Sequence, residues 1–377
     1  MRKVYIQSDS IISPLGFSSI ENFDALLKNK TGVKMHHTGN IYGDLPLALI
    51  DKSSFEQHAK GQIQNPKKYS FFEQLILSST IDALANTTID ASSERTVFVI
   101  STTKGNVEKL KTEEGRNTND YKLWHSAKLV TEYFNNPNQA IVISNACVSG
   151  VMAVNTAKQL LETQAYDHAV VIGADVASDF VVAGFMSFMA LSPEVCKPFD
   201  DKRVGLSLGE AAGCLVLSTD NKSDITIIGG ANANDANHIS GPSRTAEGLF
   251  LAIQNAMNEA RISNDEIDFV SAHGTATMYN DEMESIALNR HKLQHTPVNS
   301  FKAYWGHTLG ASGIIEIIAS IKSMQNNMLV KSLGFDKKNE GESINIITEN
   351  TPKELKTVLK TAAGFGGANS ALILQKS

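Results

Sequence analysis

Ala140–Val154 reads AIVISNACVSGVMAV. An apolar run, AIVIS, stops at Ser144-Asn145, shows a single cysteine, Cys147, and gives way at once to a second apolar pattern. Its members are Val148, Val151, Met152, Val154, Ala157, Leu160 and Leu161, while Asn155, Lys158, Gln159 and Glu162 collect on the other side. That spacing is helical with one buried stripe. A strand running straight into a helix is the repeating unit of an α/β protein. It also sets Cys147 at or beside a helix N-terminus, where unpaired N–H groups and the macrodipole favour an anion. A thiol there is predicted to titrate below its free value of about 8.5 and to react as thiolate. The competing reading is packing, since free cysteine often serves as a small buried hydrophobe. Cys196 and Cys214 lack this setting and keep the packing reading. Ser149-Gly150 leaves the first helical turn small enough for another group to come close.

Working outward, strand-like runs alternate with helical ones along the chain: KVYIQ, RTVFVIST, AIVIS, HAVVIGA and GCLVLST, then DITIIGG, IDFVSA, PVNS and SALILQ. Amphipathic stretches such as FFEQLILSSTIDALAN and GLFLAIQNAMNEARI lie between them. The pattern predicts an α/β protein with mostly parallel sheets. No Pro-rich or low-complexity linker separates the two halves. Residues 103–138 are the most polar stretch and are expected to form a surface excursion. Gly209–Leu217, GEAAGCLVL, resembles Gly366–Leu374, GANSALIL following Gly366. Both are small-residue turns feeding an apolar strand, which hints at duplication; chance likeness of two buried strands is the alternative.

Composition narrows the class. The chain has 377 residues, ample for a large core, with 42% hydrophobic and 20% charged residues. No apolar run reaches the roughly 18 residues of a membrane span. The opening MRKVYIQSDSIISPLG turns polar too early for a signal peptide. Three widely spaced cysteines argue against a disulfide framework and for a reducing, cytoplasmic compartment. Net charge is −6 without a Lys/Arg block, so nucleic-acid binding is disfavoured.

Two further segments bear on Cys147. In DFVSAHGTATMYNDEMES, His273 follows a strand and precedes a Gly-Thr-Ala-Thr turn. In VNSFKAYWGHTLGASGIIEIIAS, Lys302 and His307 lie between a short strand and a helix start rich in small residues. Histidines at strand ends beside glycine and hydroxyl residues are candidates for chemistry. One Cys and two His also admit a metal site, but no short Cys-x-x-Cys or His-x-x-x-His pair is present, and metal is ranked low.

Together, Cys147 in SNACVSG, His273 in AHGTATMYND, Lys302 with His307 in NSFKAYWGHTLGASG, and the closing GFGGANSALIL resemble the motifs of β-ketoacyl-acyl carrier protein synthases. These are elongating condensing enzymes of the thiolase superfamily. The opening SPLG, the central KPFDDKRVGLSLGEAAGCLVL, and Asp281 with Glu284 fit as well, so the likeness spans nearly the whole chain. It implies a thiolase-like fold of two similar βαβαβαββ halves in a five-layer α-β-α-β-α stack, here 1–222 and 223–377. It also implies a homodimer, or a heterodimer with a homologous synthase subunit.

The implied reaction is decarboxylative Claisen condensation. Cys147 holds the acyl group as a thioester, and His273 and His307 stabilise the enolate formed when malonyl thioester loses CO2. The backbone N–H groups of Cys147 and Phe365 hold the tetrahedral oxyanion, with Phe365, between Gly364 and Gly366, as a movable gate. No cofactor is bound; the substrate arrives on the phosphopantetheine arm of acyl carrier protein. By the same resemblance Thr275 and Thr277 contact that arm, with a turn cap as their plainer role. Phe185, Met186 and Met189 line the acyl tunnel, a stretch that would otherwise be called core. Lys302 either tunes the site as a cation or pairs with Glu284, and the pairing is favoured. Glu316 is expected to be a helix residue with a buried partner. Carrier proteins are acidic, so Lys67-Lys68 is the candidate docking patch on this net-negative chain.

The chain is shorter than the usual elongating synthase, with the trimming placed in 103–140, and SNAC replaces a commoner Thr-Ala-Cys run. Shortened synthases of this kind occur in polyene pigment pathways, often beside a non-catalytic homologue. Two alternatives compete with this reading. A non-catalytic chain-length subunit generally lacks the cysteine. A coenzyme A-dependent thiolase needs a second basic cysteine that neither Cys196 nor Cys214 supplies.

Overall fold

A computed structural model describes residues 2–38, 43–236, 241–337 and 343–377. Eleven strands join in one sheet: β1 (Val4–Ile12), β2 (Thr96–Ser101), β3 (Ile141–Ile143), β4 (His168–Asp175), β5 (Ala211–Ser218), β6 (Ile225–Asn234), β7 (Phe269–Ser271), β8 (Pro297–Asn299), β9 (Asn345–Ile346), β10 (Thr357–Gly364) and β11 (Ala368–Lys376). They stand in the order β9-β8-β7-β10-β11-β6-β1-β5-β4-β2-β3. That order contains the same arrangement twice. The first half runs 3-2-4-5-1; in the second, β8-β7-β10-β11-β6 repeats it. Strand directions match too. β4/β2 and β2/β3 are parallel, as are β10/β7 and β7/β8; β4/β5 and β5/β1 are antiparallel, as are β10/β11 and β11/β6. The halves meet where β1 pairs with β6, Val4 opposite Ile227 and Tyr5 opposite Thr226. The likeness between Gly209–Leu217 and Gly366–Leu374 falls on the equivalent strands β5 and β11.

The sheet is mixed, which corrects the expectation of mostly parallel strands. Helical crossovers join the parallel neighbours, but β10 turns back into β11 within three residues, and a tight reversal can only produce an antiparallel pair.

The helices that frame the site are α1 (Phe71–Leu84), α2 (Leu123–Tyr133), α3 (Ser149–Glu162), α4 (Asp179–Ser187), α5 (Glu247–Ala260), α6 (Met278–Arg290), α7 (Lys302–Trp305) and α8 (Ser312–Asn326). Three apolar cores separate the layers. One joins Val151 and Val154 of α3 and Ile314 and Ile317 of α8 to Leu215 and Leu372 on the inner sheet faces. A second packs Leu75 of α1 and Val130 of α2 on Phe98 and Ile172. The third packs Leu249 of α5 and Leu288 of α6 on Val270 and Ile373. Neighbouring residues serve opposite cores, Val97 and Val99 inward and Phe98 and Ile100 outward, as strand alternation requires. The result is α1/α2, first half of the sheet, α3/α8, second half of the sheet, α5/α6.

Two consequences matter for the site. Part of 103–138 is not a surface excursion: α2 carries Ala127 and Val130 into the outer core of the first half, because its apolar residues fall on one face. And α3 and α8, which follow the equivalent strands β3 and β8, cross at their first turns. A Cβ on Gly150 would stand 2.9 Å from the Ile314 nitrogen, and one on Gly313 would stand 2.5 Å from that of Val151.

Candidate active site

Beyond β3 the chain turns through Ala146, whose φ of 44° is unfavourable for a residue with a side chain. Ser149 secures the turn, its Oγ donating to the Ala146 carbonyl at 2.6 Å and accepting the Asn145 N–H at 2.8 Å. Cys147 emerges one residue before Val148, which caps α3, and is 8% exposed. Burial pushes its thiol up to about 12, outweighing the ammonium groups of Lys302 and Lys104. This corrects the lowered value expected from the helix N-terminus. Removing a sulfur anion from water costs more here than the terminus returns, so the resting group is a thiol.

His307 comes from the other half. Its N–H donates to the Ser207 carbonyl at 2.6 Å and its carbonyl accepts the Gly209 N–H at 3.1 Å, so the GLSLGEAAG segment holds its backbone. Gly306 has φ 67°, and a Cβ there would lie 2.5 Å from the Leu208 oxygen; only glycine fits this approach. The ring Nδ1 lies 3.0 Å from Ser312 Oγ, which also accepts the Thr308 N–H at 3.0 Å. With the Ser312 hydroxyl donating to Nδ1, the proton of the neutral ring sits on Nε2. Nε2 is buried and has no hydrogen-bond partner. In that tautomer it is a donor open to an acceptor in the cavity.

His273 stands beyond β7, its ring 5.3 Å from that of His307 at 82°, edge to face. Charged side chains pin the backbone around it. Glu284 accepts the N–H groups of His273 at 2.8 Å and Gly274 at 2.6 Å, and Asp281 accepts that of Thr275 at 3.0 Å. Burial raises the Asp281 carboxyl to about 6. Both imidazoles are held well below the usual histidine value, chiefly by burial and then by the Lys302 and Lys360 cations, so both are neutral at pH 7.

Lys302, at the start of α7, is fully buried and donates to the His273 carbonyl at 2.9 Å and to Glu316 Oε1. This corrects the expected pairing with Glu284. Glu284 is already engaged by backbone N–H groups and by Thr361 Oγ1 at 3.0 Å, and Glu316 on α8 is in direct contact with the Lys302 ammonium group. Glu316 does have a buried partner, as its place among four isoleucines predicted. The second cation on it, Lys360, was not foreseen.

One ligand atom from each of Cys147, His273 and His307 lies within 4.8 Å of the others. That spacing also admits a metal ion. Charges of both signs surround it: the ammonium groups of Lys302 and Lys360, and the carboxylates of Glu316, Glu284 and Asp281.

These three residues line a cavity of about 610 Å³, in the range of small-molecule sites. Thr275, Thr277, Phe185, Met189 and Phe365 also line it. Thr275 Oγ1 and Thr277 Oγ1 are 2.8 Å apart; Thr277 occupies the cap position of α6 without a side-chain cap bond, so the plainer reading as a turn cap does not hold. Phe365 contacts Phe185 at 6.0 Å and Phe188 at 5.3 Å between ring centres. It sits in a turn with Gly366 at φ 84°, and a Cβ on Gly364 would lie 3.1 Å from the Cys147 nitrogen. Met186 is a correction: it is 36% exposed and takes no part in the lining, because it falls on the outer side of α4. Met189, 89% exposed, belongs to the mouth of the cavity. Lys67 and Lys68 are exposed on a short turn, Pro66–Lys68, ahead of α1 and outside the cavity. Sequence reasoning missed Ser312, Phe188 and Arg203 of the lining or its support. Ser312 was legible in GHTLGAS as a hydroxyl five residues beyond the histidine, at the start of the following helix.

Residues 2–223 match the family described as Beta-ketoacyl synthase, N-terminal domain, and residues 225–336 match its C-terminal domain. The chain belongs to the beta-ketoacyl synthase family. It is similar to "3-oxoacyl-[acyl-carrier-protein] synthase 2" of Coxiella burnetii, 27% identical with 100% of this chain and 99% of that one covered. It also resembles the "Polyketide biosynthesis malonyl-ACP decarboxylase PksF" of Bacillus subtilis, 29% identical over 66% of this chain and 63% of that protein. Among solved structures it matches a chain of the Xenorhabdus doucetiae complex between the ketosynthase ApeO and its chain length factor ApeC. The TM-score is 0.89 at 25% identity, over 100% of this chain and 98% of that one. The beta-ketoacyl synthase fold is thus thiolase-like, with both halves of the sheet and the paired central helices in place. Among the described residues, no helix is long and apolar enough to cross a membrane.

Proposed function

We propose that this beta-ketoacyl synthase joins an acyl group held on Cys147 to malonyl-acyl carrier protein, releasing CO2 and a β-ketoacyl thioester. The observation that carries the reading is one sulfur and two neutral imidazoles converging in one cavity, with His307 Nε2 unpartnered. In the first half-reaction the Cys147 sulfur attacks the acyl thioester and the thiol proton leaves on the pantetheine sulfur. In the second, the malonyl carboxylate departs as CO2 and its electron pair moves onto the thioester oxygen, which accepts N–H from His307 Nε2 and from His273. The enolate carbon attacks the acyl carbonyl. The backbone N–H groups of Cys147 and Phe365 face the resulting oxyanion, collapse releases the Cys147 thiolate, and that sulfur takes up one proton. Each such donor is worth roughly 3–4 kcal/mol of barrier.

Around this centre we assign Thr275 and Thr277 to the phosphopantetheine arm, Phe185 and Met189 to the acyl path, Phe365 with Gly366 to its gate, and Lys67-Lys68 to the carrier. Asp281 and Glu284 hold the His273 turn, and Lys302 holds its carbonyl. No further cofactor is needed. The halves divide at 222/223. The partner is a second synthase subunit, identical or homologous, in keeping with the ketosynthase and chain length factor named in the Xenorhabdus complex. Three buried free cysteines support a reducing, cytoplasmic compartment.

The test is mass spectrometry of the intact protein after incubation with acyl-carrier thioesters of graded chain length. Wild type gains one acyl mass and Cys147→Ala gains none. Acylation persisting in the variant overturns the assignment.

A further inference from the structure

Lys360 lies on β10, in a face whose neighbours Val358 and Ala362 are apolar, and it is fully buried. An ammonium group placed there without partners would cost several kcal/mol. It donates to the carbonyls of Ser271 at 3.2 Å and Ala272 at 3.1 Å, and it forms an ion pair with Glu316 Oε2 at 2.7 Å. Lys302 takes the next carbonyl, that of His273, and the other oxygen of Glu316. Three successive carbonyls at the end of β7 therefore rest on two cations that share one carboxylate. On the other side of the same chain, Glu284 and Asp281 take the N–H groups of His273, Gly274 and Thr275. The backbone from 271 to 275 is clamped by opposite charges, and the His273 ring leaves from its middle.

We propose that Lys360 is a positioning residue for His273, which with Lys302 and Glu316 fixes the carbonyls of Ser271, Ala272 and His273 and thereby the line along which the imidazole enters the cavity. Strand pairing alone holds little of this segment. β7 ends at Ser271, and the Ala272 N–H donates to Asn299 at 2.9 Å as the last ladder-like bond. Beyond it the chain depends on side chains, and a displacement of about 1 Å at a catalytic group can cost about 10²-fold in rate. The inference rests on the function proposed above. It separates the two half-reactions, because Cys147 is carried by β3 and α3 and owes nothing to Lys360.

The experiment compares wild type with Lys360→Met and Lys360→Ala. It follows CO2 release from malonyl-pantetheine and, separately, acylation of Cys147. Lys360→Met keeps the length of the side chain, and Glu316 keeps Lys302, so no carboxylate is left unpaired. The expected result is a fall of about 10²-fold in kcat for decarboxylation, with KM and the rate of Cys147 acylation within about twofold of wild type. In Lys360→Ala, added ammonium or methylammonium ions re-enter the vacated cage and recover several-fold of the lost rate. Equal loss in both half-reactions, no loss in either, or no recovery with the amine overturns the role of Lys360. A chain that will not fold with either substitution overturns it as well, since the lysine would then serve the fold. A wild-type chain that neither acylates nor decarboxylates sinks the functional reading instead, so the two failures are distinguishable.

Discussion

Gly150 and Gly313 meet backbone to backbone where the two central helices cross, each Cβ position lying within 3 Å of a main-chain nitrogen on the other helix. This contact sets how far Cys147, three residues before Gly150, stands from His307, six before Gly313. Alanine at either position must push the helices apart. Overpacking of this kind costs about 1–3 kcal/mol. Urea denaturation of Gly150→Ala and Gly313→Ala should show that loss with an unchanged m-value, and acylation of Cys147 should slow in both.

Titration predicts a stability plateau with two shoulders. The His273 and His307 values in the folded chain lie below the unfolded value of about 6.5. As pH falls below that, the unfolded state binds protons first, so both histidines withdraw stability. Cys147 is the opposite case: its folded value of about 12 exceeds the unfolded value of about 8.5. Above pH 8.5 the unfolded chain loses its proton first, and stability falls again. Denaturation free energies measured across pH should decline on both sides, with Cys147→Ser softening the alkaline decline. Alkylation of native Cys147 by iodoacetamide at pH 8 should run slower than that of a free cysteine. A faster reaction would show a resting thiolate and remove the argument.

What was legible in the sequence divides along physical lines. The strand–Cys147–helix junction, the His273 turn and the His307 loop were readable because periodicity and glycine placement are local properties. The repeat was visible in Gly209–Leu217 and Gly366–Leu374, since equivalent strands bury equivalent faces. Long-range electrostatics were not visible. Lys302 pairs with Glu316 and not with the expected Glu284, because sequence gives no measure of which buried carboxylate stands nearer in space. Lys360 was missed with its strand: TVLKTAAG carries a lysine where apolar residues were sought, so no run was read there. The thiol value erred for a related reason, since a helix terminus is a local signal and desolvation is not. Met186 was assigned from residue type, and only the turn of α4 places it outward.

Docking of an acidic carrier to a chain of net charge −6 requires a local cationic patch. Lys67 and Lys68 are exposed and unencumbered by any ion pair among the described residues beyond the Lys68 contact with the Tyr69 ring at 5.7 Å. Charge reversal to Lys67→Glu/Lys68→Glu should weaken carrier binding several-fold in low salt, mainly through slower association, and the difference should shrink as salt is added. Surface plasmon resonance at two ionic strengths reads this directly. Unchanged affinity at low salt discards the patch, while acylation from a short pantetheine thioester should be unaffected in either event.

The tautomer of His307 supplies the sharpest check on the proposed chemistry. Ser312 has one hydroxyl proton and two neighbours that can take it, His307 Nδ1 and Thr308 Oγ1, each at 3.0 Å. If it goes to Nδ1, the ring proton is confined to Nε2 and aimed at the enolate oxygen. Ser312→Ala releases that constraint, and the ring then samples the tautomer with its proton on Nδ1, which offers a lone pair to a developing anion. A neutral hydrogen bond contributes about 1 kcal/mol, equivalent to roughly a fivefold change in rate. Decarboxylation should fall by about that factor, while transfer of the acyl group to Cys147, which asks nothing of His307 Nε2–H, should not. Nitrogen-15 chemical shifts of the His307 ring report the tautomer independently of activity: in wild type the protonated nitrogen should be Nε2, and in the variant the two forms should mix. Protonation at Nδ1 in the wild-type chain would mean that Ser312 accepts from the ring, and His307 could no longer be the donor assigned to it.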